Sequence, residues 1–469
     1  MREDWDAIVL GAGPAGAEAA MTAASFGFRV LLIDEEHAAG GQIYRAPDHE
    51  HGDKGEGREL RRRLGEADVV CAFEHRVWHI TRDFEVHALG PDGPMRFRAP
   101  SLIVATGAIE RHCPVPGWTL PGVIGLAAAT ILLKTHKVLP GRRVVVAGSG
   151  PLLPFVANEI RQLGGTVVRL VDAARRRDWV GVAPQVLYAP ALAMRGAGWL
   201  ARLAISGVPL RYGHGLREIA GDGKVERVTI GPLSPDWDQT EGASETVEAD
   251  AVCIGYGLIP SNDVTRLLRA DHEFDPDKGG WVVRTDAEGR TSVPGLYVCG
   301  DAAGVVGAAA APLSARIAAR ALARDRGDSA VAGHDREAAR ARAALAGKTI
   351  FGRAMTKIAT PRRGASNWAK DETLICRCEG VSKGAIEAAI REGCATLDDV
   401  KVATRCGMGS CGGRICAEPV GALIAVLTGA HRAEIGQATG RSPLRPVSID
   451  QIVGDFDYSD IPFPEASPQ

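Results

Sequence analysis

Residues 6–34, DAIVLGAGPAGAEAAMTAASFGFRVLLID, decide the fold of the first part of the chain. A short apolar run leads to three glycines, an Ala-rich helical stretch follows, and a second apolar run ends in an acidic residue. This order predicts a strand, a helix and a second strand, which together form a βαβ unit. Gly11 permits a tight turn, Gly13 lets a pyrophosphate approach the backbone, and Gly16 allows the helix to pack closely on the strand.

The start of the predicted helix and the end of the second strand supply further contacts for a dinucleotide. The first N–H groups of a helix and the positive end of its dipole attract phosphate, so we include Pro14 and Ala15 in the site. Asp34 lies 18 residues past Gly16, where a carboxylate can accept a hydrogen bond from a ribose hydroxyl. Glu35 follows it directly and is included as well.

Three later segments favour FAD over NAD as the dinucleotide. GGQIY (40–44) supplies backbone near the pyrophosphate or the flavin, and ATG (105–107) ends a strand with a small turn. VCGD (298–301) places an acidic residue directly after a strand and a glycine, where it could bind the ribityl chain or a water that bridges the phosphates. The predicted contacts in these segments are Gly41, Gln42, Thr106, Gly107, Gly300 and Asp301.

The combination of GAGPAG (11–16) with the late CGD (299–301) resembles the flavoproteins with two dinucleotide-binding domains, such as thioredoxin reductase and glutathione reductase. The resemblance covers about residues 1–330 and implies an FAD-binding domain formed by residues 1–120 and 285–330. Those disulfide reductases carry a paired redox cysteine motif beside the flavin. Here the early cysteines are scattered singly, so disulfide reduction is disfavoured and we interpret them as buried small apolar residues. They are Cys71, Cys113, Cys253 and Cys299.

A second βαβ unit lies within residues 121–284, which we predict to be a second nucleotide-binding domain of NAD(P) type. GSGPLL (148–153) keeps Gly148 and Gly150 but has Leu153 where the third glycine belongs. Extra bulk in a tight contact typically costs about 1–3 kcal/mol, so we expect the helix to sit further from the strand. The sequence leaves open whether this domain binds NAD(P), another adenine nucleotide or nothing, with Gly148 and Gly150 as the candidate contacts.

Six of the ten cysteines fall between residues 376 and 416. Cys376 and Cys378 form a CxC pair, and CGGRIC (411–416) follows after 32 intervening residues. Structural zinc sites prefer cysteine pairs separated by two to four residues around one ion, whereas a [2Fe–2S] cluster has two irons that each need two ligands. The pattern favours the cluster over zinc. It leaves Cys406 open as a competing ligand, because four residues also separate Cys406 from Cys411.

The spacing CxC, about 32 residues, then CxxxxC resembles the small helical iron–sulfur module of bacterioferritin-associated ferredoxin. In related sequences the pattern GMGxCxGRxC selects Cys411 and Cys416 over Cys406. The resemblance therefore implies a [2Fe–2S] cluster with four thiolate ligands, which are Cys376, Cys378, Cys411 and Cys416.

The predicted fold class is α/β, with two Rossmann-like domains of the glutathione and thioredoxin reductase type and a helical C-terminal [2Fe–2S] module. A helical linker (331–370) leads to the module (371–425), and a tail (426–469) ends the chain.

Composition and charge exclude several classes of function. The 469 residues carry a net charge of −2 without a long basic run, so a nucleic-acid partner has no electrostatic support. The most apolar run, VIGLAAATILL (123–133), is far shorter than the ~20 residues that span a membrane. The N-terminus lacks a signal peptide, and clustered thiols are typical of a reducing compartment. We therefore expect a cytoplasmic protein, with peripheral attachment to the inner membrane through its electron acceptor as an option.

The chain order, with a flavin domain first, an altered second domain next and an iron–sulfur module last, points to a narrower group within this resemblance. Together with VPGWTLPGV (115–123), GYGLIPS (255–261) and TRCGMGSCGGRIC (404–416), it resembles the α subunits of bacterial heteromeric amine and amino-acid dehydrogenases. That group includes opine oxidases, the middle subunit of hydrogen cyanide synthase, and proline or hydroxyproline dehydrogenase α subunits. The α subunit of sarcosine oxidase is related to it.

This resemblance implies that a partner flavoprotein β subunit, of the amino-acid-oxidase type, oxidises the C–N bond of an amino acid or opine-like amine. The present chain would carry the electrons away through flavin and cluster to a one-electron acceptor. FMN at a subunit interface and a small third subunit are further options. Two alternatives stay open: an NAD(P)H-dependent flavin–iron–sulfur reductase, and an assembly subunit whose nucleotide is structural. No activated nucleophile or acid–base pair stands out, so we predict no catalytic residue.

Overall fold

The computed structural model of the protein describes residues 3–45, 55–327 and 335–453, which form two α/β lobes and a small C-terminal module. The first lobe begins with β1 (Glu3–Asp4), β2 (Ala7–Leu10), α1 (Pro14–Ala24), β3 (Val30–Ile33), α2 (Glu56–Gly65), β4 (Val69–Ala72), β5 (Arg76–Ile80), β6 (Glu85–Gly90), β7 (Gly93–Arg98), β8 (Leu102–Val104) and β9 (Ala108–Glu110).

The second lobe follows directly. It contains β10 (Val123–Gly125), α3 (Leu126–Ile131), β11 (Arg143–Ser149), α4 (Leu152–Gln162), β12 (Thr166–Asp172), α5 (Arg176–Gly181), α6 (Ala183–Val186), α7 (Pro190–Ile205), β13 (Leu210–Tyr212), β14 (His214–Ala220), β15 (Arg227–Pro232), β16 (Glu245–Glu248) and β17 (Ala251–Tyr256). A π-helical turn, Leu132–His136, extends α3.

The chain then returns to the first lobe. The returning elements are β18 (Leu258–Pro260), α8 (Asp263–Leu267), β19 (His272–Asp275), β20 (Gly280–Val283), β21 (Leu296–Val298) and α9 (Ala311–Asp325). The 3-10 turns in this part are Pro276–Lys278 and Gly300–Ala303.

A five-stranded parallel sheet forms the centre of each lobe. The order is β21–β8–β2–β3–β4 in the first lobe and β10–β17–β11–β12–β13 in the second. In such sheets a ligand binds at the carboxyl ends of the strands, where the strand order reverses. This switch point lies between β2 and β8 in the first lobe and between β11 and β17 in the second.

The sequence of β2 and of α1 explains how the first lobe packs. Residues 7–10 are all buried, as expected for a central parallel strand that is covered on both faces. Helix α1 is rich in alanine and shares a core with α9, which is also rich in alanine. Small side chains let the two helices approach each other closely.

A two-stranded antiparallel ribbon joins the lobes. Strand β9 pairs with β18, so that Glu110 lies opposite Leu258 and Ala108 opposite Pro260. We call these two strands the strap. Because β9 directly follows the ATG segment, the strap connects the first lobe's ligand edge to the second lobe.

The C-terminal part of the described chain is mainly helical. It contains α10 (Asp335–Ala359), a 3-10 turn (Arg363–Asn367), β22 (Leu374–Cys376), β23 (Val381–Ser382), α11 (Lys383–Arg391), α12 (Leu397–Thr404), α13 (Ala417–Thr428), α14 (Arg432–Ile435) and α15 (Ile449–Val453). A core of its own holds this module together, and three of the clustered cysteines belong to that core.

Among the residues described here, no helix is long and apolar enough to cross a membrane. The apolar run at 123–133 is divided between β10, α3 and the π-helical turn.

Candidate functional site

Two glycines of the loop between β2 and α1 are required by the packing of the chain itself. Gly11 has a φ of +97°, and a Cβ there would lie 2.6 Å from the carbonyl oxygen of Ala105. A Cβ at Gly16 would lie 1.6 Å from the carbonyl oxygen of Gly11. The loop can therefore form its tight turn against β8 only if both positions lack a side chain.

Gly13 is different, because nothing in the described chain requires a glycine there. Its φ of −66° and ψ of −178° suit any residue. A Cβ would meet only the Cα of Gly41, at 3.8 Å. Gly13 precedes Pro14, the first residue of α1, so the open space lies at the helix N-terminus. This is the cradle that a dinucleotide pyrophosphate needs, and a side chain would fill it.

The other predicted loops converge on this one. A Cβ at Gly41 would lie 2.9 Å from the Cα of Gly13, and a Cβ at Gly300 would lie 2.7 Å from the Cβ of Ala15. Thr106 and Gly107 follow β8, the strand next to β2. The loops at 11–16, 41, 106–107 and 300–301 thus meet at the switch point, while the side chain of Gln42 is exposed.

The predicted acidic residues partly serve to hold these loops. Asp34 accepts hydrogen bonds from the N–H groups of Ala12 and, at 2.8 Å, Glu36, and burial raises the pKa of its carboxyl group. A carboxylate oxygen can accept a second hydrogen bond, so a ribose hydroxyl can share Asp34. Glu35 points to solvent, with its side chain 51% exposed, 4.0 Å from Arg76.

Asp301 closes the loop that follows β21. Its Oδ1 accepts hydrogen bonds from the N–H groups of Val306 at 3.0 Å and Gly307 at 2.8 Å. Burial raises the pKa of this carboxyl group. The bonds fix the short turn that begins at Gly300, and so hold this loop against the start of α1.

The glycine loop of the second lobe is covered by the chain itself. A Cβ at Gly150 would lie 3.0 Å from the Cβ of Ala359, at the end of α10. The hydroxyl of Ser149 donates to the carbonyl oxygen of Ile358 at 2.9 Å. Leu153, in the position of the missing third glycine, is only 1% exposed in the core of this lobe. The end of α10 therefore lies where a pyrophosphate would approach.

Asp172, the acidic residue at the end of β12, is also hydrogen-bonded within the protein. Asp172 is 4% exposed. It accepts hydrogen bonds from the N–H of Ala174 at 2.9 Å and from the indole N–H of Trp179 at 2.8 Å. Both carboxylate oxygens thus have partners within the protein, so this residue is not presented to a ribose.

Burial raises the pKa of Asp172 to about 7, which predicts a pH dependence of stability. The unfolded chain ionises at this residue near pH 4, so the wild type loses stability as the pH rises from about 4 to about 7, and not above. The variant Asp172→Asn cannot ionise. Its thermal midpoint relative to wild type should therefore rise between pH 4.5 and pH 7.5, and a constant difference would contradict the assignment.

Five thiols of the C-terminal module converge in two groups. The buried thiols of Cys376, Cys406 and Cys416 lie within 4.8 Å of one another. Cys378 lies beside Cys411, whose backbone N–H lowers the pKa of the Cys378 thiol. Each short motif thus contributes one thiol to each group. Two groups of sulfur ligands suit two irons, and Cys406 is close enough to compete for one of them.

Glycines and arginines surround these sulfurs. The N–H of Gly407 donates to the sulfur of Cys376 at 3.5 Å, a kind of contact that tunes the potential of an iron–sulfur cluster. A Cβ at Gly409 would lie 2.2 Å from the Cβ of Cys378. The turn between the thiols therefore requires glycine for close packing as well as for its N–H groups.

Hydrogen bonds connect the predicted flavin-binding edge of the first lobe, at residues 106–107, to the cysteine loop. The hydroxyl of Thr106 donates to the carbonyl oxygen of Ser261 at 2.8 Å, and the N–H of Ser261 donates to the carbonyl oxygen of Gly107 at 2.9 Å. Two residues further on, Asp263 accepts from Nε of Arg414 at 2.7 Å. Arg414 also donates, through Nη1, to the carbonyl oxygen of Cys411 at 2.8 Å.

The model of the family described as pyridine nucleotide-disulphide oxidoreductase matches residues 5–335, more than half of the chain. The chain belongs to this family. The oxidoreductase also contains a BFD-like [2Fe-2S] binding domain at residues 374–425, the region in which the thiols converge. The predicted fold class is confirmed: an α/β fold with Rossmann-like domains of the thioredoxin reductase type and a C-terminal [2Fe–2S] module.

Curated relatives match the oxidoreductase over nearly its whole length, which confirms the narrower resemblance. An opine oxidase subunit of Rhizobium meliloti is 34% identical, covering 96% of this chain and 98% of the relative. Hydrogen cyanide synthase subunit HcnB of Pseudomonas aeruginosa is 32% identical, covering 94% and 96%. The solved L-proline dehydrogenase from P. horikoshii shares the fold, with a TM-score of 0.70 at 21% identity over 96% of this chain and 80% of that one.

Several contacts of the oxidoreductase's candidate site could not be found from sequence. Ser261 and Arg414 lie within the motifs GYGLIPS and CGGRIC, but those motifs do not show their hydrogen bonds to residues far away in the chain. The contact between Ala359 and the second glycine loop likewise depends on how α10 packs, which the sequence does not show. For Cys406 the sequence did give a signal, because four residues separate it from Cys411, just as four separate Cys411 from Cys416.

The covered second loop predicts how the oxidoreductase responds to nicotinamide nucleotides. We expect NADH and NADPH, added anaerobically in excess, to leave the visible flavin absorption unchanged within minutes, because α10 blocks the pyrophosphate position. Dithionite, which needs no binding site, should bleach the flavin in the same sample. Rapid bleaching by NADPH would contradict the expectation and favour a self-sufficient reductase.

Proposed function

We propose that this oxidoreductase is the electron-transferring subunit of a heteromeric dehydrogenase or oxidase acting on the C–N bond of an amino acid or opine-like secondary amine. FAD occupies the switch point of the first lobe, and Cys376, Cys378, Cys411 and Cys416 hold a [2Fe–2S] cluster. The oxidation itself takes place on a partner flavoprotein β subunit. The names of the relatives, a subunit of opine oxidase and a subunit of hydrogen cyanide synthase, support a heteromer.

The observation that carries this proposal is the short bonded connection between the two sites. Ser261 contacts the flavin edge through Thr106 and Gly107, and Asp263 contacts the cysteine loop through Arg414. A flavin takes up electrons in pairs, and a [2Fe–2S] cluster passes them on singly. The residues of this chain would hold the two groups at a fixed separation and keep the loop between them rigid.

The same observation weighs against a purely structural nucleotide. A scaffold needs the first lobe to bind its ligand, but it needs no bonded connection from that ligand's edge to a thiol cluster. An NAD(P)H-dependent reductase would need the second loop, which the end of α10 covers. FMN at a subunit interface and peripheral attachment to a membrane remain expectations from the resemblance.

A group of exposed apolar side chains in the second lobe offers a place for the partner. Between β12 and β13 the chain makes a long excursion through α5, α6 and α7. Large apolar side chains project from it into solvent: Val180 is 71% exposed, Leu187 73%, Met194 75% and Ile205 87%. A surface helix normally presents charged side chains to water, and contiguous exposed apolar side chains mark interaction sites. We assign this surface, residues 176–205, to the β subunit.

Loss of the partner should follow when this surface is made charged. We expect Met194→Glu combined with Ile205→Glu to abolish co-purification with the β subunit, since each buried carboxylate would need a counter-ion at the interface. Val70→Glu, in an edge strand of the other lobe and 51% exposed in the wild type, is the matched control and should leave the complex intact. An intact complex with the double variant would place the interface elsewhere.

The function itself is tested by electron flow in the complex. The chain is co-expressed with its candidate β subunit, purified anaerobically, and mixed with a panel of amino acids and N-substituted amino acids. We expect one of these two substrate classes, the amino acids or the N-substituted amino acids, to bleach the flavin absorption. The same class should produce the electron paramagnetic resonance signal of a reduced [2Fe–2S] cluster. Oxidation of substrate without any change in the cluster would overturn the electron-transfer role.

A further inference from the structure

A cavity of about 250 Å³ lies between residues 111–114, which follow strand β9, the linker that follows α10 and helix α13. Most of its wall is apolar and includes Pro114, Phe274, Ile375 and Leu423. At roughly 30 Å³ per water molecule, this space suits a ligand of about eight non-hydrogen atoms. It is separate from the glycine loop and from the converging thiols.

A buried guanidinium lies in the wall of this cavity. Arg111, the residue directly after strand β9, is 5% exposed. Its Nη2 donates to the carbonyl oxygen of Gly279 at 2.7 Å, and its Nη1 donates to the hydroxyl of Thr360 at 3.1 Å and the carbonyl oxygen of Tyr256 at 3.5 Å. Its Nε has no hydrogen-bond partner in the part of the chain that the structure describes. All the acceptors of this cation are neutral.

The charges around the cavity do not balance that of Arg111. The charge of Glu418 acts favourably on it, but Glu418 forms an ion pair with Arg432 at 3.0 Å. Arg362, on the same wall, is paired with Asp178 at 3.1 Å. Within the described ranges, Arg111 forms no ion pair of its own. One positive charge is therefore buried without a counter-ion beside an apolar space, which is a costly arrangement.

We propose that this cavity binds a small organic carboxylate, with its carboxylate group at Arg111 and its apolar body against α13. One negative charge balances the buried guanidinium of Arg111, and a carboxylate matches the donor geometry of arginine. The apolar wall gives no hydrogen bonds to a polar body, so it favours an aliphatic or small aromatic acid. The site goes beyond the proposed electron-transfer function, which uses neither Arg111 nor this cavity.

The cavity lies near both ends of the proposed electron path, the flavin-binding edge and the cysteine module. Arg111 follows the strap directly, and the strap begins after the flavin-edge residue Gly107. Helix α13 begins directly after Cys416. A ligand here would bridge the first lobe and the cluster module.

Calorimetric titration of the full, flavin-loaded chain tests the proposal. We expect hexanoate to bind with one site per chain and hexanamide, which has the same shape without the charge, at least about tenfold more weakly. The substitution Arg111→Met should weaken the binding of hexanoate by at least tenfold. Arg363→Met removes an exposed arginine of the same cavity and should leave the affinity unchanged.

A second variant keeps the test decisive if Arg111→Met does not fold. Ala422→Phe on α13 fills the apolar part of the cavity and leaves Arg111 in place. We expect it to retain flavin and to lose hexanoate binding. Equal binding of hexanoate and hexanamide, undiminished binding by Ala422→Phe, or tighter binding of hexyl phosphate than of hexanoate would each overturn the assignment of a carboxylate site.

Discussion

We expect the variant Cys411→Ser to lose the visible absorption of the iron–sulfur cluster and nearly all of its iron. A [2Fe–2S] cluster needs four ligands, and Cys411 is the partner of Cys378 in one of the two groups of thiols. Serine has a far weaker affinity for iron than a thiolate. The measurement is iron content and visible spectrum of protein purified without air, with flavin content as the internal reference.

Two other cysteines serve as controls for this prediction. Cys394 lies in the same module outside the group of buried thiols, so Cys394→Ser should retain full iron. Cys406 is within 4.8 Å of Cys376 and Cys416, and the ligand set proposed here requires that Cys406→Ser also retain the cluster. Loss of iron in Cys406→Ser together with retention in Cys411→Ser would show that Cys406 is the ligand.

The second large effect concerns Gly13. We expect Gly13→Val to fold and to purify with at least about tenfold less FAD, which corresponds to roughly 1.4 kcal/mol of binding free energy. Its backbone angles suit valine, and the nearest atom to a Cβ is the Cα of Gly41 at 3.8 Å. The protein therefore leaves room for a Cβ at this position, and a bound pyrophosphate would collide with the side chain. The circular dichroism spectrum measures whether the variant folds, and the flavin content measures how much FAD it retains.

Gly16→Ala provides the contrast. Its Cβ would lie 1.6 Å from the carbonyl oxygen of Gly11, so the protein itself must distort, and we expect loss of soluble folded protein as well as of flavin. If Gly13→Val retains FAD, the pyrophosphate does not lie over this loop. If Gly13→Val fails to fold, the cradle has a structural role.

The first lobe shows how much of such a fold can be predicted from sequence. The strand at 7–10, the tight turn at Gly11 and the close packing at Gly16 match the structure, because the pattern of a βαβ unit is written in adjacent residues. The helical character that the resemblance implied for the cysteine module also matches the structure, which contains α11, α12 and α13 in this region. The family comparison confirms this fold class.

The features that sequence could not supply depend on contacts between distant segments. The second glycine loop looked damaged because of Leu153, but its larger change is the end of α10, about 200 residues later, lying against Gly150. The order of the cysteines along the chain does not reveal which thiols meet, since Cys376 lies with Cys416 and Cys378 with Cys411.

Iron beside the flavin is the feature on which the proposed function depends. The most direct test is the metal, sulfide and flavin content of the chain isolated without exposure to air. We predict two irons and two acid-labile sulfides for each FAD. Zinc in the cysteine module, or a module that is folded and free of metal, would contradict the electron-transfer role.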